Sequence, residues 1–518
     1  MIVGHSAKPL AGLIQRLDDR SLLVRSESRG LDRASVSIGA PCTHDSRQVR
    51  PGGVFVAIPG ARVDGARFAG EALGRGAVAL IAEPSGIRSF ELERERSEDV
   101  PSIAVTHARR ALAEASAWWE DDPADRLIVV GVTGTDGKTT TSTYLSTALR
   151  AAGLPAGLIS TALQRVGGQD EPMTAHQTTP EAPALQSTLN RIAASGDRAA
   201  VLETTSHGLA LDRVAAISYA AGIVTNFSSD HLDFHGTIDE YRKAKLLLVD
   251  RVRGSAASRA AGLEPLMVIR RSDPALRPFV VLAERVGIRV VDFDVADDGA
   301  LLLNGERHAV QLRMPGRFNA LNAAAALSLV AAWRLPLEPA VAAVSAEAGP
   351  PGRSEMVSAG QPFTVIVDFA HTGPSLAAAI GVARSLAGAN GRVLLVTGAA
   401  GERDPGRRTA VGQAAGGADL VWIADEDPRG EDPDAIAAAI FDAAGQVMGP
   451  STRERVTVLH DRRAAIAAAM AAARPGDVVL LAGKGHEKTI ERAGADEPWD
   501  EVTVAREALT SLGYPQHT

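Results

Sequence analysis

The sequence predicts an α/β protein of three domains, and three observations support this class. Strand patterns of the buried type alternate with helical patterns over most of the 518 residues, as expected for parallel sheets covered by helices. A glycine-rich turn joins one of these strands to a helix, as in nucleotide-binding α/β domains. Two polar stretches rich in proline or glycine divide the chain, and about 150 residues per domain is typical, which gives roughly three domains.

The first domain is predicted to span residues 1–125, as a small mixed α/β domain. The segments "GGVFVAIPG", "AVALIAEP" and "PSIAV" have the composition of strands, and a helical pattern follows near 107–120. The polar, proline-containing stretch "EDDPADR" then marks the boundary.

The central domain is predicted to span residues 126–348, as an ATPase domain of the P-loop type with a parallel sheet. Its strands are "LIVVGVTG", "AAVLETTS" and "AGIVTNFS", and its helices lie at about 137–152, 237–249 and 318–333. These strands are apolar along their whole length, which indicates a sheet buried on both faces. The stretch "EAGPPGRSE" at 347–355 marks the next boundary.

The third domain is predicted to span residues 349–518, as a Rossmann-like doubly wound domain. Here the alternation of strand and helix restarts, and each strand segment precedes a helical pattern. The strand segments are "FTVIVDFA", "RVLLVTGA", "ADLVWIAD", "RVTVLH" and "DVVLLAGKG".

Composition limits the possible environments and partners. The net charge is −8 without a long basic run, so nucleic acid is not an expected partner. The single cysteine, Cys42, excludes an internal disulfide framework and suits a reducing compartment. No apolar run approaches 18 residues, and the N-terminus lacks the pattern of a signal peptide. We therefore expect a cytoplasmic protein without membrane insertion.

The segment "GVTGTDGKTTT" at 131–141 predicts a phosphate-binding loop. Gly134 and Gly137 allow the backbone to turn its N–H groups toward an anion at the start of the next helix. Lys138 can reach the β- and γ-phosphates, and the Thr139 hydroxyl can bind Mg²⁺. Val132 stands where the usual motif has its first glycine. A structural glycine turn is the alternative interpretation, which the following Lys-Thr and helix disfavour.

Two further strand ends carry polar side chains. "LETTSHG" at 202–208 contains Glu203 and His207, and "TNFSSDHLDFHG" at 225–236 contains His231. Because the carboxyl ends of parallel strands gather at one edge of a sheet, these groups are expected beside the phosphate loop. Glu203 is a candidate Mg²⁺ ligand and His231 a candidate ligand or hydrogen-bond partner. For either histidine alone, a structural role is equally compatible with the sequence.

Two helical side chains leave alternatives open. In "TIDEYRKAKLLLVD" (237–250), Lys245 shares one helix face with Ile238, Tyr241 and Leu248. It could extend its amine to the surface, or it could be a desolvated, neutral amine available for modification or catalysis. In "RMPGRFNALNAAAALSLV", Asn322 could bind an adenine edge, whereas capping of the helix by Asn319 explains the motif equally well.

Taken together, these motifs resemble the Mur ligase family. "GVTGTDGKTT", "LETTSHGL", "TNFSSDHLDFHG", "EYRKAK", "MPGRFNALNA", "PGRSE", "VDFAHT" and "LLAGKGHE" occur in the order of that family, from about residue 40 onward. The resemblance implies a ligase that uses ATP and Mg²⁺ to convert a carboxylate into an acyl phosphate, which an amine then attacks. It also implies that Lys245 is carbamoylated and helps to hold a second Mg²⁺.

The resemblance implies the following roles in ATP handling and catalysis. Lys138, Glu203, His231 and Lys245 would be catalytic, and Thr139 would join the last three as metal ligands. The ATP-binding residues would be Gly134, Thr135, Asp136, Gly137, Lys138, Thr139, Thr140, Asn322, Arg353 and Asp368.

The early segment "THDSRQVRPGGVFVAIPGARVDGARF" resembles the uridine-nucleotide-binding domain of the family member that adds the third residue of the peptidoglycan stem peptide. The resemblance therefore implies a UDP-muramoyl dipeptide and a diamino acid as partners, and we expect a monomer. The residues expected to bind the dipeptide nucleotide are Ser46, Ala61, Arg62, Val63, Gln177, Thr178, Thr179, Thr205 and Arg213. Those expected to bind the diamino acid are Arg403, Glu426, Asp427, Pro428, Arg429, Gly483 and Glu487.

Several positions depart from the family pattern. Asp136 replaces the usual Asn in the phosphate loop, "HTGPSL" replaces a Pro-acidic pair, and "RRSDP" replaces an Asn-x-Asp-Asp stretch. "EDPR" at 426–429 stands where diaminopimelate-adding members have Asp-Asn-Pro-Arg. Arg429 favours a distal carboxylate, hence meso-diaminopimelate, whereas Asp427 could pair with the distal ammonium of L-lysine or L-ornithine.

Other functions remain as alternatives. The D-Ala-D-Ala-adding ligase and folylpolyglutamate synthase share the family, but the first is not expected to carry the Asp/Asn-Pro-Arg segment and the second lacks a comparable UDP-binding domain. A non-catalytic nucleotide-binding scaffold would be expected to lose Lys245, Glu203 or His231, which are all present. A subunit that acts only with a companion protein is a further alternative.

Overall fold

The computed structural model describes residues 6–27, 35–60, 63–93, 100–173, 177–388, 390–402 and 405–514. Three larger sheets, each flanked by helices, follow one another along the chain. The predicted α/β class is confirmed. The domain boundaries proposed from the sequence stay predictions.

The N-terminal region contains a five-stranded sheet in the order β2-β7-β6-β5-β4, in which only β2 runs antiparallel to its neighbour. Cys42 lies buried in the core between this sheet and the helices α1 and α4. The elements are β1 (Lys8–Pro9), α1 (Leu10–Asp19), β2 (Leu23–Glu27), β3 (Ser37–Ile38), β4 (Cys42–Thr43), β5 (Val54–Ala57), α2 (Ala69–Gly74), β6 (Ala79–Ala82), α3 (Pro84–Glu93), β7 (Ser102–Val105), α4 (Ala108–Trp119) and α5 (Pro123–Arg126).

The central region contains an eight-stranded sheet in the order β11-β10-β9-β12-β8-β13-β14-β15. The six strands from β9 to β15 in this order are parallel, and β10 and β11 add an antiparallel hairpin. The elements are β8 (Ile128–Thr133), α6 (Lys138–Ala151), β9 (Ala156–Ile159), β10 (Leu163–Val166), β11 (Gln169–Pro172), α7 (Ala182–Ala194), β12 (Ala199–Glu203), α8 (Ser206–Ala210), β13 (Ala221–Val224), α9 (Leu232–His235), α10 (Ile238–Arg251), α11 (Ala256–Ala260), β14 (Leu266–Ile269), α12 (Arg277–Arg285), β15 (Arg289–Val291), β16 (Phe293–Val295), β17 (Leu301–Leu303), β18 (Glu306–His308), α13 (Arg317–Ala332) and α14 (Leu337–Ala346).

Strand β8 shows why the central strands are apolar along their whole length. Ile128, Val130 and Val132 belong to the core that α6 and α13 cover. Leu127 and Val129 belong to the opposite core, which α7, α10 and α12 cover. Because β8 lies in the middle of the sheet, the turn after Thr133 opens at the edge where β12 and β13 also end. This topology brings the predicted phosphate loop beside Glu203 and the segment after Val224.

The C-terminal region contains a six-stranded sheet in the order β19-β20-β24-β21-β22-β23, parallel except for β19. A separate hairpin, β25–β26, follows the loop after β24. The elements are β19 (Glu355–Val357), β20 (Thr364–Asp368), α15 (Gly373–Leu386), β21 (Val393–Thr397), α16 (Pro405–Ala415), β22 (Leu420–Ile423), α17 (Pro433–Met448), α18 (Thr452–Arg455), β23 (Val456–Val458), α19 (Arg462–Ala472), β24 (Val478–Ala482), β25 (Thr489–Arg492), β26 (Ala495–Pro498) and α20 (Glu501–Ser511).

The junction between the central and C-terminal regions is attached to the central region at its start and to the C-terminal region at its end. The Thr147 hydroxyl of α6 donates to the Glu347 carboxylate at 2.7 Å. Five residues later, Gly352 packs so closely on the backbone of Gly485 and His486 that a Cβ at this position would collide with it. Of the described helices, none is long and apolar enough to cross a membrane.

Candidate active site

The loop between β8 and α6 requires glycine at two positions. Gly134 has φ +147° and Gly137 has φ +79°, values that other residues adopt at a cost. A Cβ at Gly134 would also collide with the Thr225 hydroxyl, and a Cβ at Gly137 with the Asn322 amide. These close approaches, rather than turn geometry alone, explain the two glycines.

Asn226 braces this loop from the end of β13. Its Oδ1 accepts the backbone N–H groups of Thr135 at 3.0 Å and Asp136 at 2.9 Å, and its Nδ2 donates to the Asp136 carbonyl at 3.1 Å. The Thr225 hydroxyl donates to the same carbonyl at 2.6 Å. Because these two N–H groups are occupied, the backbone donors that remain for an anion include those of Lys138, Thr139 and Thr140, which begin α6 and have no carbonyl partner within the helix.

Two lysine amines meet at the loop. Lys138 Nζ donates to the carbonyls of Gly134 at 3.2 Å and Thr135 at 2.8 Å. Lys245 Nζ donates to the same Gly134 carbonyl at 2.7 Å and lies 4.7 Å from the centroid of the Tyr241 ring. Lys245 is only 1% exposed, so the alternative in which it extends to the surface is wrong. Burial, and secondarily the charge of Lys138, holds the pKa of Lys245 well below its usual range.

Glu203 ends β12 and is fully buried. Its carboxylate accepts the Thr161 backbone N–H at 3.0 Å, and its other oxygen lies 3.1 Å from the Thr161 hydroxyl. Thr161, which the sequence did not single out, thus orients this carboxylate. Asp136 lies nearby at the loop, and burial raises the pKa of its carboxyl group while Lys138 opposes that shift.

The side chains expected to bind a metal differ in the donor atoms that they offer. The Thr139 hydroxyl and the Glu203 carboxylate are hard oxygen donors of the kind that Mg²⁺ prefers. Lys245 in its amine form is a hydrogen-bond donor and offers no such oxygen. Within the described ranges, no three His, Cys, Asp or Glu side chains converge to hold a metal. The residues therefore fit Mg²⁺ that completes its coordination with phosphate oxygens and water.

His231 lies in a cluster of aromatic side chains beside the loop. Its φ is +54°, and its ring is 4.9 Å from that of His207 and 6.2 Å from that of Tyr241. Nε2 of His231 is 3.3 Å from the Asp230 carboxylate. Burial lowers the pKa of His231 to about 4, against the opposing effect of Asp230. The imidazole is therefore neutral at pH 7 and can take part in hydrogen bonds without adding charge.

The junction places further polar groups next to this edge. Arg353 stacks over the Phe369 ring at 4.3 Å, and the charges that act on it include those of Asp368, Glu203 and Asp136. Asp368 accepts the backbone N–H groups of Ser354 and Ala370, each at 2.7 Å. These bonds hold the turn that carries Arg353 against β20.

Asn322 lies near the start of α6, where its Oδ1 is 3.2 Å from the Thr141 hydroxyl. Gly316, rather than Asn319, is the N-cap of α13, and the Asn319 amide donates instead to the Pro315 carbonyl at 2.7 Å. The capping alternative is therefore wrong.

The residues expected to bind the dipeptide form a connected group beside Glu203. The Thr179 hydroxyl donates to the Glu203 carbonyl at 2.8 Å and lies 3.0 Å from the Thr205 hydroxyl. Arg213 donates to the Thr179 carbonyl at 3.0 Å and pairs with Glu181 at 2.7 Å. Thr178 contacts Thr161 at 2.9 Å, and Gln177 is exposed.

The residues expected to bind the uridine nucleotide lie in the N-terminal region. The Ser46 hydroxyl donates to Glu71 at 2.7 Å. Val63 is 42% exposed, as a contact residue for a ligand would be. Ala61 and Arg62 lie outside the described residues, as does Arg403 of the set expected to bind the diamino acid.

In the C-terminal region, Lys484 connects two of the expected diamino-acid contacts. Its Nζ lies 2.9 Å from Asp427 Oδ1 and 2.6 Å from Glu487 Oε2. Arg429 donates through Nε to Glu491 at 2.9 Å and through an Nη to the Gly401 carbonyl at 3.2 Å. The sequence did not single out Glu491, and it predicted neither of these pairings.

Glu426 is the most enclosed member of this set. It is 4% exposed, and its Oε2 finds no hydrogen-bond partner among the described residues. A Cβ at Gly483 would lie 2.7 Å from that oxygen, and Pro428 lines the small cavity beside it. Burial raises the pKa of Glu426, with Arg407 the largest opposing charge. Arg407 also donates to the His371 carbonyl at 2.8 Å, which attaches this arginine to the segment that follows β20.

Comparison with known proteins identifies this architecture. Residues 41–119, 132–330 and 352–485 match, respectively, the Mur ligase family catalytic domain, the Mur ligase middle domain and the Mur ligase glutamate ligase domain. A UDP-N-acetylmuramyl-tripeptide synthetase from Roseiflexus sp. (strain RS-1) is 40% identical, covering 92% of this chain and 95% of its own. This chain belongs to the Mur ligase family.

Other relatives agree with this Mur ligase assignment. A UDP-N-acetylmuramoyl-L-alanyl-D-glutamate–2,6-diaminopimelate ligase from Streptomyces coelicolor (strain ATCC BAA-471 / A3(2) / M145) is 36% identical and covers 97% of both chains. A solved structure of a ligase of the same name superposes with a TM-score of 0.58 at 27% identity, covering 92% of this Mur ligase and 95% of that chain. The chain is accordingly a ligase of peptidoglycan precursor synthesis, similar to the enzymes that form the muramyl tripeptide.

Proposed function

We propose that this Mur ligase adds meso-diaminopimelate to the γ-carboxylate of D-glutamate in UDP-N-acetylmuramoyl-L-alanyl-D-glutamate, with release of ADP and phosphate. ATP would bind at the loop between β8 and α6, the dipeptide beside Thr179 and Arg213, and the diamino acid beside Asp427 and Arg429. We expect the enzyme to act as a monomer in the cytoplasm.

One observation carries the proposal most directly. The buried Lys245 amine lies 2.7 Å from the Gly134 carbonyl, within the loop that would bind the triphosphate, and its pKa is lowered. A neutral amine at this place can take up CO₂ as a carbamate, which turns a hydrogen-bond donor into an oxygen ligand. A scaffold that only bound nucleotide would have no use for such an amine.

The side chains support each step of acyl activation. Lys138 and the N–H groups that begin α6 would attract the β- and γ-phosphates, and Arg353 would add positive charge from the junction. The γ-carboxylate of the dipeptide would attack the γ-phosphorus of ATP. The bond between this phosphorus and the bridging oxygen of ADP breaks, so that an acyl phosphate forms and ADP leaves. Mg²⁺, when bound near Thr139 and Glu203, would neutralise charge on the transferring phosphoryl group.

The amine of the diamino acid then attacks the acyl carbon, and phosphate leaves as the amide forms. Because water would hydrolyse an acyl phosphate, the C-terminal region is expected to close over the site before transfer. Neutral His231 can hold a hydrogen bond to substrate or bound water without adding charge.

Two contacts favour diaminopimelate as the incoming amino acid. Arg429 uses Nε and one Nη within the protein, which leaves its other Nη for a distal carboxylate. Asp427 already bonds to Lys484, which weakens its attraction for a distal ammonium. L-Lysine or L-ornithine is the second candidate, because Asp427 still adds a negative charge that an Asn would not.

Phosphate release tests the proposal directly. The protein is incubated with ATP, Mg²⁺ and the UDP-muramoyl dipeptide, and meso-diaminopimelate, L-lysine and L-ornithine are compared. The proposal expects release that depends on the dipeptide and is fastest with diaminopimelate. Faster release with lysine or ornithine would refute the choice of amino acid. Absence of release with all three, in a protein that binds ATP, would favour a scaffold or a subunit that needs a companion.

A further inference from the structure

Lys484 is a buried cation shared by two carboxylates. It is 1% exposed, and its Nζ contacts Asp427 at 2.9 Å and Glu487 at 2.6 Å. A lysine ammonium carries three donors on one nitrogen, so it can serve two acceptors in different directions. Gly483 precedes it with φ +109°, a conformation that suits glycine.

The bond to Lys484 directs the charge of Asp427 into the protein. The same Oδ1 that meets Lys484 also accepts the backbone N–H of Glu491 at 2.9 Å. A carboxylate that accepts two such bonds, one from a buried cation, presents a much weaker field to its other side than an unpaired carboxylate does. The residue at 427 therefore differs less from an asparagine than its formal charge suggests.

Glu491 joins this arrangement to Arg429. Its backbone N–H binds Asp427 while its side chain accepts from Arg429 Nε at 2.9 Å. Five charged residues thus form one connected series of contacts, which runs from Glu487 through Lys484 and Asp427 to Glu491 and then to Arg429. A substitution of Lys484 would therefore change the electrostatic potential at the place where the distal end of the amino acid is expected.

We propose that Lys484 is a specificity-determining positioning residue, which weakens the negative charge that Asp427 presents to substrate so that Arg429 can bind a distal carboxylate. This inference rests on the proposed function as a diamino-acid ligase. Without Lys484, Asp427 and Glu487 would lose the cation that they share, and the negative charge at this place would increase. That charge would repel the distal carboxylate of diaminopimelate and attract the distal ammonium of L-lysine.

The test compares the selectivity ratio, defined as kcat/KM for meso-diaminopimelate divided by kcat/KM for L-lysine, in the wild-type protein and four variants. Lys484→Met is expected to lower the ratio at least tenfold, mainly through a higher KM for diaminopimelate. Asp427→Asn is expected to change the ratio less than threefold, whatever it does to the rates. The double variant is expected to return to within threefold of the wild-type ratio. Lys488→Met is the matched control, because Lys488 is 69% exposed and pairs with Asp500 at the surface.

Several outcomes would overturn the inference. A purely structural role for Lys484 would lower kcat for both amino acids in parallel and leave the ratio unchanged. A tenfold or larger change in the ratio for Asp427→Asn alone would show that the charge of Asp427 acts on the substrate, which contradicts the inference. If Lys484→Met does not fold, the result for Asp427→Asn alone tests the inference. The assay of the wild-type protein tests the proposed function separately. If the wild type is inactive with every amino acid, the proposed function is refuted, whatever the variants show.

Discussion

Lys138 and Lys245 donate to one carbonyl oxygen, that of Gly134, from 3.2 and 2.7 Å. Lys138 is the first residue of α6, and Lys245 lies within α10. Two ammonium groups so close together repel each other, which favours loss of a proton from the more buried one. The same repulsion makes the site receptive to an anion, because bound phosphate would relieve it.

Replacement of Lys245 by Met is expected to lower the ligase activity strongly without loss of stability. Removal of a group that acts on developing charge costs about 10²-fold or more in kcat. Replacing a buried, imperfectly paired amine by an apolar chain of similar length is neutral or stabilising. Phosphate release and thermal unfolding are measured on the same preparation. Lys243→Met is the control, because Lys243 lies on the exposed face of the same helix, where it pairs with Glu240. Equal loss of activity in both variants would contradict the role of Lys245.

The Gly137→Ala variant is expected to bind ATP more weakly. Its Cβ would force Asn322 and the loop apart, at a cost of about 1–3 kcal/mol for overpacking, in addition to about 1–2 kcal/mol of backbone strain. Gly153→Ala is the matched control, since Gly153 has φ +82° and open space around it. Calorimetric titration with ATP should show weaker binding in Gly137→Ala alone. Similar affinities in the two variants would mean that the contact with Asn322 does not shape the nucleotide site.

Loss of the buried ion pair between α19 and α20 is expected to destabilise the C-terminal region strongly. Arg462 and Glu501 are fully buried, with an Nε–Oε2 distance of 3.0 Å, and the Trp499 indole also donates to Glu501. Glu501→Ala leaves the guanidinium uncompensated and should cost about 3–5 kcal/mol in the free energy of unfolding.

The neighbouring pair Arg463–Glu507 joins the same two helices at the surface. Glu507→Ala should therefore cost no more than about 1 kcal/mol. Urea unfolding followed by tryptophan fluorescence compares the two variants. Equal midpoints would disprove the distinction between the buried pair and the exposed pair.

His460 is expected to titrate above its usual range. Hydrogen bonds to Asp425 at 2.8 Å and Asp434 at 2.9 Å favour the imidazolium and raise the pKa of His460. Since the folded-state pKa exceeds the unfolded value, this group contributes stability that is fully present below about pH 6.5. The contribution is lost as pH rises through the raised pKa.

Histidine resonances followed by NMR against pH would measure this pKa, with His460→Gln to assign the signal. Asp425→Asn should move the pKa down toward 6.5. An unchanged pKa in that variant would show that Asp425 is not the main cause of the shift.

The sequence predicted the elements around the site well, because buried parallel strands and amphipathic helices have strong local signals. The inward direction of Lys245 follows from its spacing relative to Tyr241 and Leu248. Its contact with Gly134, 111 residues away, depends on β8 and β13 being neighbours in the sheet, which local patterns do not encode. The bracing role of Asn226 depends on the same adjacency.

The pairings in the diamino-acid pocket were not predictable for a different reason. Asp427 meets Lys484 across 57 residues and Arg429 meets Glu491 across 62. Both contacts join the loop after β22 to the segment from Lys484 to β25, which local patterns do not bring together. Arg429 itself has φ +54°, a conformation that the motif "EDPR" does not predict. The resemblance to the family therefore assigned Asp427 and Arg429 to substrate without indicating their partners in the protein.

The contact of Gly352 with Gly485 and His486 limits where the chain could pivot in the closure proposed above. The turn at Gly352 is joined to that region, whereas Glu347 is joined to α6 through Thr147. Rotation must therefore be absorbed by residues 348–351, which include two consecutive prolines with fixed φ. So short a pivot, which the prolines stiffen, would restrict the closure to few directions, so that Arg353, two residues beyond it, would travel along a reproducible arc toward the triphosphate.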